Sequence, residues 1–342
     1  MKRWQKAILS TFLVLGALVA TGITSTIGWR PIIGPKARTL TDRRFEPSPA
    51  RLARGEYIVK NVAGCLFCHS DLDTSQEGLP VMAGLAGAGR PFTAEDMPWL
   101  TAPNITQDPE TGAGAWTDDM IARAIREGIG HDGRALFPLM PYANFAQMSD
   151  EDLASVITYI RSLPAVRREH PKTAIPFPVS RLIYSAPQPI EGTVAAADLG
   201  TPEKRGQYLV TLASCGDCHT PMIQGQYVKG MEFAGGNPCT YGDARAMRAS
   251  ANLTPAPSGI PYYNEALFLE TIRNGRVRDR KISDVMPWGH YRNMTDEDLT
   301  SIFAYLQTLT PVDHHVDNAL PATPCAKCTL EHGGGERNKK SE

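Results

Sequence analysis

Cys65-Leu66-Phe67-Cys68-His69 and Cys215-Gly216-Asp217-Cys218-His219 are two copies of one short pattern, and how that pattern is read decides the fold. On one helical turn, thiols three residues apart point to the same side, and the next residue presents an imidazole beside them. Two such thiols can add across the two vinyl groups of a porphyrin while the imidazole meets the iron, which is the c-type haem attachment chemistry. The rival readings are a zinc knuckle or a redox dithiol. Zinc needs four good ligands per site, and neither copy supplies a second matched Cys or His pair. A dithiol would leave His69 and His219 without a purpose.

The surrounding sequence repeats with the motif. Arg54-Gly-Glu-Tyr-Ile-Val leads to Cys65, and Arg205-Gly-Gln-Tyr-Leu-Val leads to Cys215. In preserved order, Asn104-Ile-Thr answers Asn252-Leu-Thr, Ala124-Ile-Arg-Glu-Gly answers Thr271-Ile-Arg-Asn-Gly, and Met148-Ser-Asp-Glu-Asp-Leu answers Met294-Thr-Asp-Glu-Asp-Leu. Self-similarity at this scale marks a duplicated unit, here of about 110 residues, an ordinary domain size. The expected units are residues 51–166 and 203–312. Between them residues 167–202 carry Pro171, Pro176, Pro178, Pro187 and Pro189 and read as an extended linker. Residues 313–342, with more prolines and a Gly333-Gly-Gly stretch, read as a flexible tail.

Each unit ends in a clear amphipathic helix. Leu153, Val156, Ile157 and Ile160, and likewise Leu299, Ile302, Phe303 and Leu306, follow the i, i+3, i+4, i+7 pattern. Ser149 and Thr295 are natural N-caps, with Asp152 and Asp298 in the first turn. Strand signals are sparse, so the fold class is mainly α. Trp116-Thr117-Asp118-Asp119 reads as a further helix start, with Trp116 over Ile121.

The second axial ligand of each iron should recur at equivalent places. His131 and His290 fail that test. Met140 with Met286, and Met148 with Met294, both pass. Met148 and Met294 stand just before an N-cap, where an apolar side chain packs on Leu153 or Leu299 as a staple. Met140 and Met286 precede Pro141 and Pro287, which keep the chain out of a helix and leave the thioether free to point inward. The axial sets are therefore His69 with Met140 and His219 with Met286. Asn104 and Asn252 also recur and could hold a haem propionate, although an Asn in a loop is more often a turn residue. Cys325-Ala-Lys-Cys328 is followed by Thr329 in place of His, so a local disulfide, or no role, is expected. Cys239 has no partner in the pattern.

From Ala7 to Trp29 the chain carries no charge, long enough to span a bilayer core. A retained anchor over residues 7–29 is favoured over a cleaved signal peptide, since no convincing small-x-small site follows Ala20. Flanking charges give no vote on orientation: Lys2, Arg3 and Lys6 precede the span, and Arg30, Lys36, Arg38, Arg43 and Arg44 follow it. Covalent haem places the body outside the cytoplasmic membrane, in the periplasm. With 35 basic and 36 acidic side chains, bulk charge suggests no nucleic-acid partner.

The chain resembles the multi-haem cytochrome c subunits of bacterial membrane-bound dehydrogenases serving alcohol, gluconate, aldehyde or nicotinate oxidation. Ala102-Pro-Asn-Ile-Thr, Gly114-Ala-Trp-Thr-Asp-Asp and Met140-Pro-Tyr-Ala-Asn-Phe carry the likeness, which spans about Arg51 to Val312. It implies class I cytochrome c domains, which with the apolar span and the two attachment motifs gives two tandem class I cytochrome c-like domains after an N-terminal transmembrane helix, carrying two covalently bound haem c. It also implies the His/Met pairs above. The chain has two haem motifs where those subunits often have three, and Met286-Pro-Trp-Gly-His where the family more often shows Met-Pro-x-x-x-Phe. Ligands on both faces of each iron suit an electron carrier between a dehydrogenase and quinone or a terminal oxidase. The alternative is a di-haem enzyme such as a peroxidase, in which one iron sheds a ligand. A haem-based sensor would need a signalling module, which the sequence lacks.

Overall fold

The computed structural model describes residues 2–92, 97–239 and 248–339, and they are mainly α-helical. Helix α1 (Arg3–Ser25) buries none of its residues and is long and apolar enough to cross a membrane. A single turn, α2 (Arg30–Ile33), follows. The first helical unit is α3 (Pro49–Tyr57), prolonged by a π-turn over Ile58–Val62, then α4 (Cys65–Cys68), α5 (Asp118–Glu127), α6 (Tyr142–Phe145) and α7 (Asp150–Ser162). A mostly irregular stretch holding α8 (Val179–Leu182) leads to the second unit. This consists of α9 (Pro202–Leu212), α10 (Cys215–His219), α11 (Glu265–Asn274), α12 (Trp288–Tyr291) and α13 (Asp296–Gln307). The order matches α3 to α7. Among the described residues, β-structure consists of antiparallel ribbons of two or three residues per strand and isolated bridges between Leu72 and Val81 and between Ile129 and Ala135.

Local chemistry explains the helix ends. The Ser149 and Thr295 hydroxyls accept from the N–H groups of Asp152 and Asp298, each at 3.1 Å, satisfying an otherwise orphaned donor. Helices α5 and α11 stop at Gly128 and Gly275, both left-handed at φ 72° and 63°, a conformation glycine adopts without steric cost. Trp116 packs against the core that contains Ile121, and its ring also stacks on His131, with centroids 4.3 Å apart.

In each unit the first helix crosses the last at a glycine. A Cβ on Gly55 would lie 1.9 Å from the Ser155 carbonyl oxygen, and one on Gly206 would lie 1.9 Å from that of Ser301. Only a residue without a side chain lets the two backbones approach so closely. Around these crossings Ile58, Val59, Val62, Leu153, Val156 and Ile157 pack in one unit and Leu209, Val210, Leu212, Leu299, Ile302 and Leu306 in the other, within one continuous core. Met148 and Met294, each 1% exposed, belong to that core.

The two units are tied crosswise. Tyr57 of α3 donates to Asp298 of α13 at 2.5 Å and accepts from the Thr295 N–H. Tyr208 of α9 donates to Asp152 of α7 at 2.8 Å and accepts from the Ser149 N–H. The same carboxylates also pair with Arg205 and Arg54 of their own units. Burial first, and then the carboxylate bonds, push both tyrosine hydroxyls up to about 12, so they remain donors at neutral pH.

Two segments outside the units are also fastened down. Arg38 forks onto Asp119 with two 2.7 Å bonds and reaches Glu127 at 2.7 Å, while the Thr41 N–H donates to Asp119 and the Phe45 N–H to Asp118. The C-terminal stretch departs from the expected flexible tail. Ala322–Pro324 pairs with Glu331–Gly333, and His314, Cys325, Cys328 and His332 are all buried. Composition foretold disorder because this stretch carries few aliphatic residues; it is ordered around polar and sulfur-bearing side chains instead. Lys340, Ser341 and Glu342 lie outside the described residues.

Candidate functional site

Helices α4 and α10 are presented alike. The residue before each, Gly64 or Ser214, is left-handed at φ 59° and 55°, so the chain turns sharply into the single turn that carries the thiols. Cys65, Cys68, Cys215 and Cys218 are free thiols; Cys218 is exposed and the others half-buried. Burial pushes the Cys65 and Cys215 thiols up to about 12.

The two histidines share one anchoring device. His69 Nδ1 lies 2.7 Å from the Pro103 carbonyl oxygen and His219 Nδ1 lies 2.8 Å from that of Ala251. A carbonyl can only accept, so Nδ1 carries the proton and Nε2 keeps its lone pair for a metal. Burial lowers the proton affinity of both rings, which keeps them neutral.

The methionine loops are also congruent. The Tyr142 N–H bonds back to the Met140 carbonyl at 2.8 Å and the Trp288 N–H to that of Met286 at 2.7 Å, around Pro141 and Pro287 with near-identical dihedrals. These are inverse γ-turns. The aromatic ring after each proline lies under the glycine that ends α5 or α11: a Cβ on Gly128 would meet Tyr142 at 2.7 Å, and one on Gly275 would meet Trp288 at 2.3 Å. Met140 and Met286 are half-buried against the core.

Pattern reading missed the residues that bring the motifs face to face. Asn144, four positions after Met140, donates to Ser214 at 3.1 Å and to the Asp217 carboxylate at 3.0 Å, both in the second motif. Its counterpart His290 packs against Gly64 and Phe67 of the first motif, with ring centroids 5.6 Å apart in the latter pair. Tyr291 donates to the Ala213 carbonyl at 2.7 Å, and its hydroxyl lies near enough to feel the thiols of Cys215, Cys218 and Cys68. The two Cys-x-x-Cys-His turns thus flank one shared seam. The ring nitrogens of His290 are shielded and have no hydrogen-bond partner among the described residues, and burial pulls its proton affinity down to about 3. The only sequence signal for these contacts was their shared place after Met-Pro. Cys239, unexplained by pattern, sits in hydrogen-bonding contact with the Cys218 thiol.

Asn104 and Asn252 are not free to hold a propionate. Each is buried, its Oδ1 accepting from a threonine N–H and hydroxyl (Thr106 or Thr254) and its amide donating to the Val166 or Val312 carbonyl. With both ends engaged they are turn residues, tying a loop to the chain beyond the last helix of each unit.

These donors fit covalent haem: paired reduced thiols on one turn, an adjacent imidazole with its Nε2 lone pair available, and a thioether loop anchored elsewhere in the same unit. A protein of this construction is a c-type cytochrome. A family model described as cytochrome c matches residues 52–164. A dihaem c-type cytochrome of Cereibacter sphaeroides is 30% identical over 271 residues, covering 76% of this chain and 86% of the relative. The chain belongs to the cytochrome c family, and electron transfer is its general role. It is also similar to the cytochrome c subunit of the quinone alcohol dehydrogenase of Gluconobacter oxydans, at 27% identity over 281 residues, covering 77% of this chain and 55% of the relative. The cytochrome subunit of fructose dehydrogenase of Gluconobacter japonicus is 29% identical over 287 residues, covering 77% and 54%. The chain spans little more than half the length of those dehydrogenase subunits.

Proposed function

We propose that the chain is a membrane-anchored, periplasmic dihaem cytochrome c that passes single electrons from a dehydrogenase toward quinone or a terminal oxidase. Cys65 and Cys68 hold the first haem and Cys215 and Cys218 the second, with His69 and Met140, and His219 and Met286, as axial ligands. A haem held by these residues would supply reversible one-electron chemistry at its iron. The single observation that carries the reading is the exact duplication of the ligand apparatus: the Nδ1 anchors, the left-handed entry turns and the Met-Pro turns recur in both units. The 271-residue alignment with the Cereibacter relative, longer than either unit, supports two tandem domains.

The chain's own residues prepare the site. Pro103 and Ala251 fix the imidazole tautomer and orientation. Tyr142 and Trp288, wedged under glycines, hold the methionine loops rigid. Asn144, His290 and Tyr291 fill the seam between the motifs, exclude water from it and keep the two redox centres in a fixed relation. Helix α1 supplies the membrane anchor.

The test is a redox titration with optical spectra on the detergent-extracted full chain, with intact mass. Two added haems and the weak red charge-transfer band of Met-ligated ferric haem at both sites are expected. A mass without added macrocycle sinks the reading. A missing red band at one site in the resting oxidised protein would move the assignment to the peroxidase-like class. Co-purification from membranes then identifies the donor and acceptor.

A further inference from the structure

We infer that His314, Cys325, Cys328 and His332 form a structural zinc site, separate from the haem ligands and independent of the electron-transfer reading. All four side chains are buried, at 0%, 3%, 0% and 2% exposure, and their ligand atoms lie within 4.8 Å of one another. His314 Nε2 is 3.2 Å from His332 Nε2 and 3.3 Å from Cys325 Sγ, and Cys328 Sγ is 3.4 Å from His332 Nε2. Zinc bonds of about 2.3 Å to sulfur and about 2.0 Å to nitrogen, set tetrahedrally, require roughly 3.3 Å between nitrogens and 3.5 Å between nitrogen and sulfur. These three separations match those of an occupied tetrahedron.

The surroundings agree. His314 Nδ1 donates to the Ala234 carbonyl at 2.8 Å and His332 Nδ1 to that of Gly333 at 3.1 Å, so both Nε2 lone pairs converge on one point. Lone pairs facing each other at that distance repel unless positive charge sits between them. Carbonyl anchoring of the far ring nitrogen is the usual outer support of a metal-bound histidine. The Cys328 N–H donates to Cys325 Sγ at 3.5 Å, and Thr329, left-handed at φ 60°, turns the chain after the pair. Cys325 and Cys328 are separate thiols, so of the two readings the sequence left open, a local disulfide or no role, the disulfide is not formed. Met231, Ala234, Val228, Val312 and Leu330 enclose the cluster in apolar surface.

Zinc binding here releases the two thiol protons and leaves a neutral centre, a divalent ion with two thiolates and two neutral imidazoles. Cys₂His₂ donor sets favour zinc over the oxygen-seeking ions. Residues 313–339 have too little apolar surface to order themselves, and a metal supplies what a small module lacks. The site also abuts the second unit: Gly236, at φ 96°, would bring a Cβ within 2.8 Å of His314, and Gly235 N–H donates to the His219 carbonyl at 2.7 Å. The clamp therefore braces the loop that follows the second Cys-x-x-Cys-His turn.

The experiment is metal analysis of the full holoprotein purified without chelators, with X-ray absorption at the zinc edge. One zinc per chain with two sulfur and two nitrogen neighbours is expected. The double variant C325S/C328S should lose that zinc to background while keeping its haem content. A wild-type protein with background zinc, a zinc spectrum without sulfur neighbours, or a Cys325–Cys328 disulfide found by mass mapping would overturn the assignment. Zinc stoichiometry, the sulfur neighbours of the zinc and the thiol state of Cys325 and Cys328 are read without reference to haem, so failure here and failure of the proposed function are distinguishable.

Discussion

Replacing Gly55 or Gly206 by alanine tests the helix crossings on which both units are built. Alanine is the better helix former by about 1 kcal/mol, so a solvent-facing position would gain stability. Here the new Cβ would sit 1.9 Å from a carbonyl oxygen of the crossing helix, Ser155 or Ser301, and 2.9 or 2.8 Å from the Cβ of Tyr159 or Tyr305. Relieving the first contact to even 3.0 Å moves one backbone by 3.0 − 1.9 = 1.1 Å. Overpacking of this kind costs about 1–3 kcal/mol, and a gap near 1 Å forfeits up to about half of the dispersion energy of each opened contact. The obstacle is backbone and cannot rotate away, so the upper figure applies, and subtracting the propensity gain leaves a net loss of about 2 kcal/mol per site. Urea unfolding of the detergent-solubilised holoprotein, followed by far-ultraviolet circular dichroism, reads this as a lower midpoint at unchanged slope. A midpoint equal to or above wild type for Gly55→Ala or Gly206→Ala would refute the close-crossing argument.

Removing one cross-tie hydroxyl, in Tyr57→Phe or Tyr208→Phe, strips a buried carboxylate and a backbone N–H of a partner and should cost about 1–3 kcal/mol; an unchanged urea midpoint would count against it. His69→Ala should abolish the first haem's contribution to the visible spectrum, and Met140→Ala should remove the red charge-transfer band of that site alone; persistence of both bands would reassign the ligands. Burial raises the Asp119 carboxyl, but the Arg38 fork and the Thr41 N–H and hydroxyl outweigh it and hold it below the ordinary carboxylate value. A depressed carboxylate contributes stability above its unfolded value that disappears as pH falls through the folded one. Proteolysis within residues 38–45 should therefore stay slow down to about pH 4 and rise below it, while Asp119→Asn should be cleaved quickly even at neutral pH.

Much of this was legible in the chain because it is written twice. Periodicity, caps and the Cys-x-x-Cys-His pattern are local, and the duplication separated Met140 and Met286 from His131 and His290 as ligand candidates. It also showed which glycines recur, although not that Gly55 and Gly206 mark helix crossings. What repetition could not convey is how the copies dock: Asn144 reaching Asp217, and His290 covering Gly64, are contacts between units with no periodic signature. Asn104 and Asn252 are the turn residues that a loop asparagine more often is, since a recurring polar residue satisfies a recurring turn as readily as a ligand. The C-terminal cluster escaped because His314 lies eleven positions before Cys325, and the Cys-x-x-Cys pair was judged by its missing adjacent histidine. The signal was His332, four residues after Cys328.

The strap between α1 and the first unit bears on how such a molecule would be used. Arg38, Thr41 and Phe45 are stapled to the start and flank of α5, so few residues are left slack between the end of α1 and the globular body. With α1 in a bilayer, the body would ride at a set height and tilt instead of swinging on a tether. A partner in the same bilayer would meet the body at that height, and a longer leash inserted before Arg38 would trade that alignment for reach.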